Sequence, residues 1–361
     1  MKQVKLLILS CLIYTQLLIL NCFAKGAGSS VGITLLQPVS ARSAAMADAS
    51  SSLSGDITAL QYNPAGISSI QNQELVTMYR KGMIQDNYAS FLFGHCFSPA
   101  GPGIGAGLLY YDTGKIELYD SAGNTVSKVG QKDTIAMLGM GFSLFEHNGA
   151  FGVTVKGISS EIFGNKATAF AADIGAQYRG LVTLGFSVHN IGSGLNYLNK
   201  DEKLPGVVKL GGSYSHDYNE QYSFVYAVDI PHYINEEETL CLIGIECMYL
   251  KIFALRGGYK FNITESSRND EQQVTAGIGF NILNFSISYS VGFTQDLDMP
   301  HNISFRMKFG REKHKSKLKK PDKRSNNHRK VKSYNSSKSK NAEKSKPGKK
   351  PKSKRKFILQ E

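Results

Sequence analysis

The sequence contains no tryptophan and only five cysteines. Two of these, Cys11 and Cys22, fall in an apolar N-terminal stretch, which leaves Cys96, Cys241 and Cys247. An odd number without C-x-x-C spacing or a neighbouring His supports neither a disulfide framework nor a zinc site. G-x-S-x-G, G-x-x-x-x-G-K and H-E-x-x-H are missing, and the glycine run at 101–107 (GPGIGAG) lacks dinucleotide spacing. No catalytic residue, metal ligand or cofactor is assigned. His95, His189 and His216 fall at predicted strand ends, where interfacial or turn roles outweigh catalysis. Past residue 24 no apolar run reaches the roughly 20 residues a helix needs to cross a bilayer.

A spread of positive charge is also missing, although the formal net charge is +13. Residues 311–361 hold 21 of the 42 Lys+Arg and 4 of the 29 Asp+Glu, a net +17. Residues 1–310 therefore carry −4, which excludes a basic nucleic-acid-binding body. The tail is Lys, Ser, Asn and Pro with almost no apolar residues before Phe357, so it cannot bury enough surface to fold and is expected to be disordered. Its charge suits anionic cell-wall or lipid headgroups.

What is present begins with an export signal at residues 1–24. Lys2 and Lys5 are basic, residues 6–20 are apolar, and Cys22-Phe23-Ala24 offers small residues before a cleavage point. Lipoprotein processing at Cys22 is the alternative. Residues 25–71 follow as a predicted hatch, with a small-residue helical run at 41–49 and a tight turn at Asn63, Pro64, Ala65 and Gly66. Pro64 fixes φ, Asn63 can bond its own backbone and Gly66 accepts positive φ.

Residues 72–310 show repeated period-two alternation. At 283–293, Leu283, Phe285, Ile287, Tyr289, Val291 and Phe293 share one face, with Asn, Ser and Gly on the other. Segments of about ten such residues, joined alternately by short turns and longer loops, predict an all-β fold. The expectation is a transmembrane antiparallel β-barrel of about 14 strands, with an N-terminal hatch inside a wet lumen. The short turns face the periplasm, and an even count puts both chain ends on that side, with hatch and tail as neighbours across the short rim. Tyr and Phe, 18 and 19 in number, supply the interfacial girdles. The 101–107 glycine run marks either a turn into a barrel corner or a gap in the wall.

Charges on lipid-facing positions are costly, so Lys156, Asp173, Lys209, Asp229, Glu246, Arg256, Lys260 and Arg306 are placed in the lumen. Pairing with one another and with the hatch is their expected role; Arg256 or Lys260 meeting an anionic headgroup is the lesser one.

The block 34–69, with its ARSAAMADA and YNPAG wording, resembles the N-terminal region of the PorV/PorQ family, which looks like the wider FadL-like group of outer-membrane barrels. The segments 172–192, 204–214 and 301–309 are similar to the same family. Where that family has Gly-Gly after the small-residue helix, this chain has Ala47-Asp48, and the tail past Phe309 is a further departure. The resemblance implies a bacterial outer-membrane barrel in contact with membrane lipid. A FadL-like role implies transport of long-chain fatty acids or other hydrophobic small molecules. A PorV-like role implies a partner-binding component of a protein secretion or surface-assembly system.

Overall fold

The computed structural model describes residues 30–82, 86–97, 101–119, 125–144, 148–198, 200–264, 273–293 and 299–309. The expected export signal and the basic tail lie outside these residues. In chain order the strands are β1 (Gln73–Lys81), β2 (Asn87–Cys96), β3 (Gly103–Asp112), β4 (Lys115–Tyr119), β5 (Thr125–Val129) and β6 (Gln131–Leu144). There follow β7 (Gly149–Ile162), β8 (Asn165–Arg179), β9 (Thr183–Gly192), β10 (Leu195–Tyr197), β11 (Lys200–Glu202) and β12 (Val207–Asp217). The last are β13 (Tyr222–Tyr233), β14 (Glu238–Tyr249), β15 (Phe253–Asn262), β16 (Gln273–Ile282), β17 (Phe285–Phe293) and β18 (His301–Phe309).

Fourteen of these form one closed antiparallel barrel, sealed where β1 pairs with β18, Gln73 opposite Phe309. The pairs β4–β5 and β10–β11 are small hairpins within the two longest connections. The barrel has the expected 14 strands, and β17 begins two residues inside the 283–293 segment predicted from the alternation. Connections are short at one rim, such as 283–284 between β16 and β17, and mostly long at the other. No helix among the described residues is long and apolar enough to cross a membrane; the crossing is made by strands.

The alternation has a direct structural cause. In β6, Ile135 and Met137 turn inward and are buried, while Leu138, Met140 and Phe142 stand outward and exposed. The outward set on all sides is apolar, as a surface solvated by lipid requires. Aromatic pairs mark its edges near the short turns, including Tyr222 with Tyr249 and Phe253 with Phe280.

The lumen is occupied by residues 30–72. A 3-10 turn (Ile33–Leu36) leads to helix α1 (Ala41–Ala45), helix α2 (Ala59–Tyr62) and a second 3-10 turn (Pro64–Ser69). Ser40 caps α1 by accepting from the Ser43 N–H. The helix stops at Ala45, short of the predicted run, because Ala47 and Asp48 both take left-handed backbone angles (φ 52° and 61°).

Two expectations need correction. First, much of the lumen is dry: Leu35, Ile57, Leu60 and Ile67 of the hatch pack on inward-facing Met78, Leu92, Leu109 and Met137 of the wall. The hatch brings its own apolar residues, and burying them against the wall removes both from water. Second, both barrel ends do lie at the short-turn rim, but the first described residues lie at the opposite one. The Val31 N–H donates to Lys203 O and Asn235 Nδ2 to Ser30 Oγ, so the hatch runs through the lumen from the long-loop rim down to β1.

The glycine run is not a gap. Residues 103–112 pair without interruption to β2 and to β6. A side chain at Gly103 would collide with the backbone of Ile67, so the glycine makes room for the hatch rather than opening the wall.

Candidate functional site

The hatch turn forms as its sequence dictates, with one difference. Asn63 Oδ1 accepts from the Ala65 N–H at 3.2 Å, Pro64 starts the second 3-10 turn, and the Gly66 N–H donates to Asn63 O at 3.0 Å. Gly66 is not at positive φ; its Cβ would sit 2.7 Å from Ala59 Cβ, so close approach of the two hatch turns requires it. The Asn63 amide donates to Ser51 O (2.9 Å), Ala176 O (3.1 Å) and Phe186 O (3.3 Å), stitching the hatch to β8 and β9. Gly152 faces Pro64 and Gly185 faces Ser51, each so closely that any side chain would strike hatch backbone.

All eight predicted lumen charges point inward; six of them fall into three groups, and Lys209 and Lys260 stand at the cavity. The first is an alternating ladder. Arg42 of α1 is bidentate to Glu246 (2.9 and 2.8 Å), which also accepts from Arg256 Nε at 2.6 Å. Arg42 reaches Asp56 at 3.0 Å, Asp56 meets Arg306 at 3.4 Å, and Arg306 meets Glu74 at 3.4 Å. Three wall positions on β14, β15 and β18 are thereby tied to two hatch residues and to β1. Burial pushes the Asp56 carboxyl up, but Arg306 and Arg42 outweigh this and hold it below the usual carboxylate value. The partner Arg42 was not among the residues singled out from sequence; a lone Arg within the small-residue run ARSAA was its only signal.

Asp229 forms the second group alone. It accepts from the N–H groups of Ser50 (2.9 Å) and Ser51 (2.8 Å) and from Ser51 Oγ (2.8 Å). The carboxylate is satisfied by hatch backbone and hydroxyl, without a basic partner in contact among the described residues.

The third group is built by a β-bulge. Ala172 pairs with Ile191 but Ile174 with Val188, so Asp173 faces both His189 and Asn190. Asn190 takes φ 59° and turns inward beside its neighbour, which regular alternation would forbid. Lys156 Nζ lies 2.7 Å from Asp173 and donates to Asn190 Oδ1 at 2.9 Å. His189 lies 3.1 Å from Asp173 through Nδ1 and 2.8 Å from Ser187 Oγ through Nε2. His189 is thus a buried lumen residue rather than an interfacial one; the bulge that places it has no signature in the sequence. The Ser187-His189-Asp173 order resembles a hydrolase triad, but Ser187 is fully buried with its Oγ on Tyr62 O. A nucleophile so enclosed has no reach to a substrate.

Above the hatch lies a cavity of about 610 Å³ on the long-loop side, within the roughly 300–1,000 Å³ typical of small-molecule pockets. Its apolar part comes from Ile33, Leu35, Leu36 and Pro38 of the hatch with Leu240 and Leu242 of β14. Its cations are Arg80, Lys156, Lys209 and Lys260. Lys156 is paired with Asp173 and Arg80 with Asp86, whereas Lys209 and Lys260 make no ion pair among the described residues. Lys209 Nζ instead stands 5.5 Å from the Tyr62 ring centroid. Of the two predicted headgroup partners, Lys260 is at the cavity and Arg256 is not. No group of three or more metal-ligating side chains occurs among the described residues.

No protein-family model matches the sequence, and no curated protein matches it. Among solved structures the toluene transporter TbuX of Ralstonia pickettii has a TM-score of 0.53 at 11% identity, covering 76% of this chain and 99% of its own. The toluene transporter TodX of Pseudomonas putida reaches 0.55 at 14%, covering 75% and 97%. This chain shares the fold of these toluene transporters. The monoaromatic hydrocarbon channel CymD (0.54, 10% identity, 76% and 98% covered) extends the likeness. With its closed wall and apolar outer belt, the chain is built as a membrane-spanning β-barrel.

Proposed function

We propose that this barrel transports hydrophobic small molecules across the outer membrane, long-chain fatty acids among them, entering at the long-loop rim. The observation that carries this reading is the 610 Å³ cavity between hatch and wall, which joins an apolar lining to four cations and to the carboxylates Asp48, Asp86, Glu236 and Glu238. The transporters and channels that share the fold act on toluene and monoaromatic hydrocarbons, which supports the same cargo class here. Onward passage requires the hatch turn at Asn63, Pro64, Ala65 and Gly66 to shift, because that turn fills the short-turn half of the lumen.

Purification in a neutral detergent followed by lipid extraction and mass spectrometry tests the reading, with a co-purified hydrophobic small molecule as the expected result. Asn63→Ala with Pro64→Ala should change uptake in whole cells while leaving heat-modifiable gel migration intact. Unchanged uptake removes the hatch role.

One observation favours a second reading, a PorV-like partner-binding component of a secretion or surface-assembly system. The charge ladder through Arg42 and Glu246 braces the hatch against the wall, as suits a permanent plug. An extract free of small molecules, together with a stable protein partner recovered after cross-linking at the long-loop rim, would favour it. For the basic segment 311–361, outside the described residues, charge alone supports contact with anionic cell-wall or lipid headgroups; full-length and truncated chains should differ in binding to anionic vesicles.

A further inference from the structure

Three neighbouring strands are longer than a bilayer requires. β6, β7 and β8 run for 14, 14 and 15 residues, against 9 in β1 and 9 in β17, and a tilted strand crosses a membrane in about 9–11. Their outward residues are apolar down to the short turns, with Phe142 and Leu144 on β6, Phe151 on β7 and Tyr178 on β8 all exposed. The excess therefore lies at the long-loop end.

The strand register fixes what that excess shows to the outside. Ala136, Gly157 and Phe170 stand side by side as the last largely apolar row, and Phe170 is 75% exposed. Thr134, Ser159 and Thr168 form the next row, and Lys132, Glu161 and Lys166 the one beyond it. All six side chains are exposed except that of Glu161, which is half-buried. Tyr110 of β3, opposite Thr134, adds a further hydroxyl. A band of hydroxyls and then a row of alternating charge thus continue directly from the lipid-facing belt.

The inner side of this ridge is closed and fixed. Asp133 turns inward between the two rows, where it accepts from Thr34 Oγ1 of the hatch at 2.5 Å, from Gln131 Nε2 at 2.8 Å and from Ser160 Oγ. The charges outside are only loosely engaged. Lys166 Nζ stands 3.8 Å from Glu161, beyond hydrogen-bond length. Lys132 Nζ lies 5.6 Å from the Tyr110 ring centroid and makes no ion pair among the described residues. Asp112, opposite Lys132, is taken up by the Tyr110 hydroxyl at 2.9 Å and the Gly114 N–H at 2.7 Å.

A wall that rises from a lipid belt faces the headgroups of that lipid. An excess of about four residues climbs about 10 Å at the tilt of barrel strands, whereas an ordinary headgroup layer is about 5–8 Å deep on each side of the bilayer. Covering the hydroxyl band and still reaching the lysines takes a deeper headgroup. Sugar hydroxyls match Thr134, Ser159, Thr168 and Glu161, and phosphate matches the two lysines.

We propose that the outer face of β6, β7 and β8 binds the phosphorylated saccharide headgroup of a glycolipid, with Lys132 and Lys166 on phosphate and Phe170 against the adjoining acyl carbons. The site lies outside the barrel and away from the lumen cavity, so its failure leaves the transport reading untouched.

The test follows the midpoint of heat-modifiable gel migration of the full-length chain in neutral detergent as lipid is added. The three probes are bisphosphorylated lipid A, the same lipid A with its phosphates removed, and phosphatidylglycerol. Bisphosphorylated lipid A should raise the midpoint most, dephosphorylated lipid A less and phosphatidylglycerol least. Lys132→Gln with Lys166→Gln should raise the lipid A needed for half the effect by on the order of tenfold and erase the difference between its two forms. Lys115→Gln with Lys128→Gln, on the β4 and β5 hairpin away from the wall, should leave both unchanged.

An equal response of wild type and the Lys132/Lys166 double variant overturns the inference, as does no response of wild type to lipid A. A matching response to phosphatidylglycerol reduces the effect to ordinary anionic lipid and also overturns it. A midpoint that rises with protein concentration in place of lipid A assigns the face to a second copy of the chain, with the same consequence. Far-UV circular dichroism of each variant confirms an intact barrel before lipid is added.

Discussion

The two halves of the lumen are lined differently, and the difference explains why one is sealed and the other hollow. Toward the short turns the wall presents glycines, such as Gly152 and Gly185, and hatch backbone lies directly on the strands. Toward the long loops the wall presents Arg80, Lys209, Lys260 and Tyr233, which line the cavity. Close-packed interiors have few voids larger than a water molecule. The cavity is left where hatch and wall stand apart, whereas the glycine-lined half is a seal.

The largest break in this comparison should come from Glu246→Ala, which leaves Arg42 and Arg256 buried side by side without their shared carboxylate. Removing one member of a buried ion pair costs about 3–5 kcal/mol. The gel-migration midpoint should fall sharply, and hatch peptide bonds should become protease-sensitive. Next is Gly152→Val, which forces a side chain into Pro64 and should cost about 1–3 kcal/mol through overpacking. Planar-bilayer conductance should rise as the seal loosens, while the same substitution at outward-facing Leu138 should leave conductance at the wild-type level.

Asn63→Ala removes three donations to carbonyls of the hatch and of β8 and β9, with a cost of about 1–3 kcal/mol for the buried acceptors left behind. Hydrogen exchange at residues 63–69 should quicken before that of the strands does. The smallest effect is pH-dependent and confined to the ladder. Asp56 titrates below its usual value of 3.8 in the folded chain. Its contribution is complete above that value and is lost as pH falls through the lower folded one. Protease protection of the hatch should accordingly hold from pH 7 to pH 5 and weaken only in stronger acid; weakening between pH 7 and pH 5 would exclude Asp56 as the group responsible.

Much of the fold was legible because a membrane barrel writes itself locally. Lipid on one side of every strand enforces period two, and Leu283, Phe285 and Ile287 announce β17 without help from distant residues. Inward placement of Lys156, Asp229 and Glu246 followed from the same rule, since lipid tolerates charge poorly. Partnerships were not legible. Arg42 meets Glu246 across 204 residues of sequence, and the bulge that brings His189 onto Asp173 depends on two strands slipping by one residue. The role of Gly66 was read as a backbone angle, but the contact that demands glycine comes from Ala59 on a separate hatch turn.

By itself, then, the sequence determined the strand periodicity, the segregation of charge into tail and lumen, and the presence of a compact segment ahead of the strands. Each of these is set by neighbours within a few residues and by the solvent they face. Only the tertiary structure decided that the hatch fills one half of the lumen as a dry core and stands off the other half. That choice depends on which wall residues come to face which hatch residues around a closed ring, and ring closure is a property of all fourteen strands together.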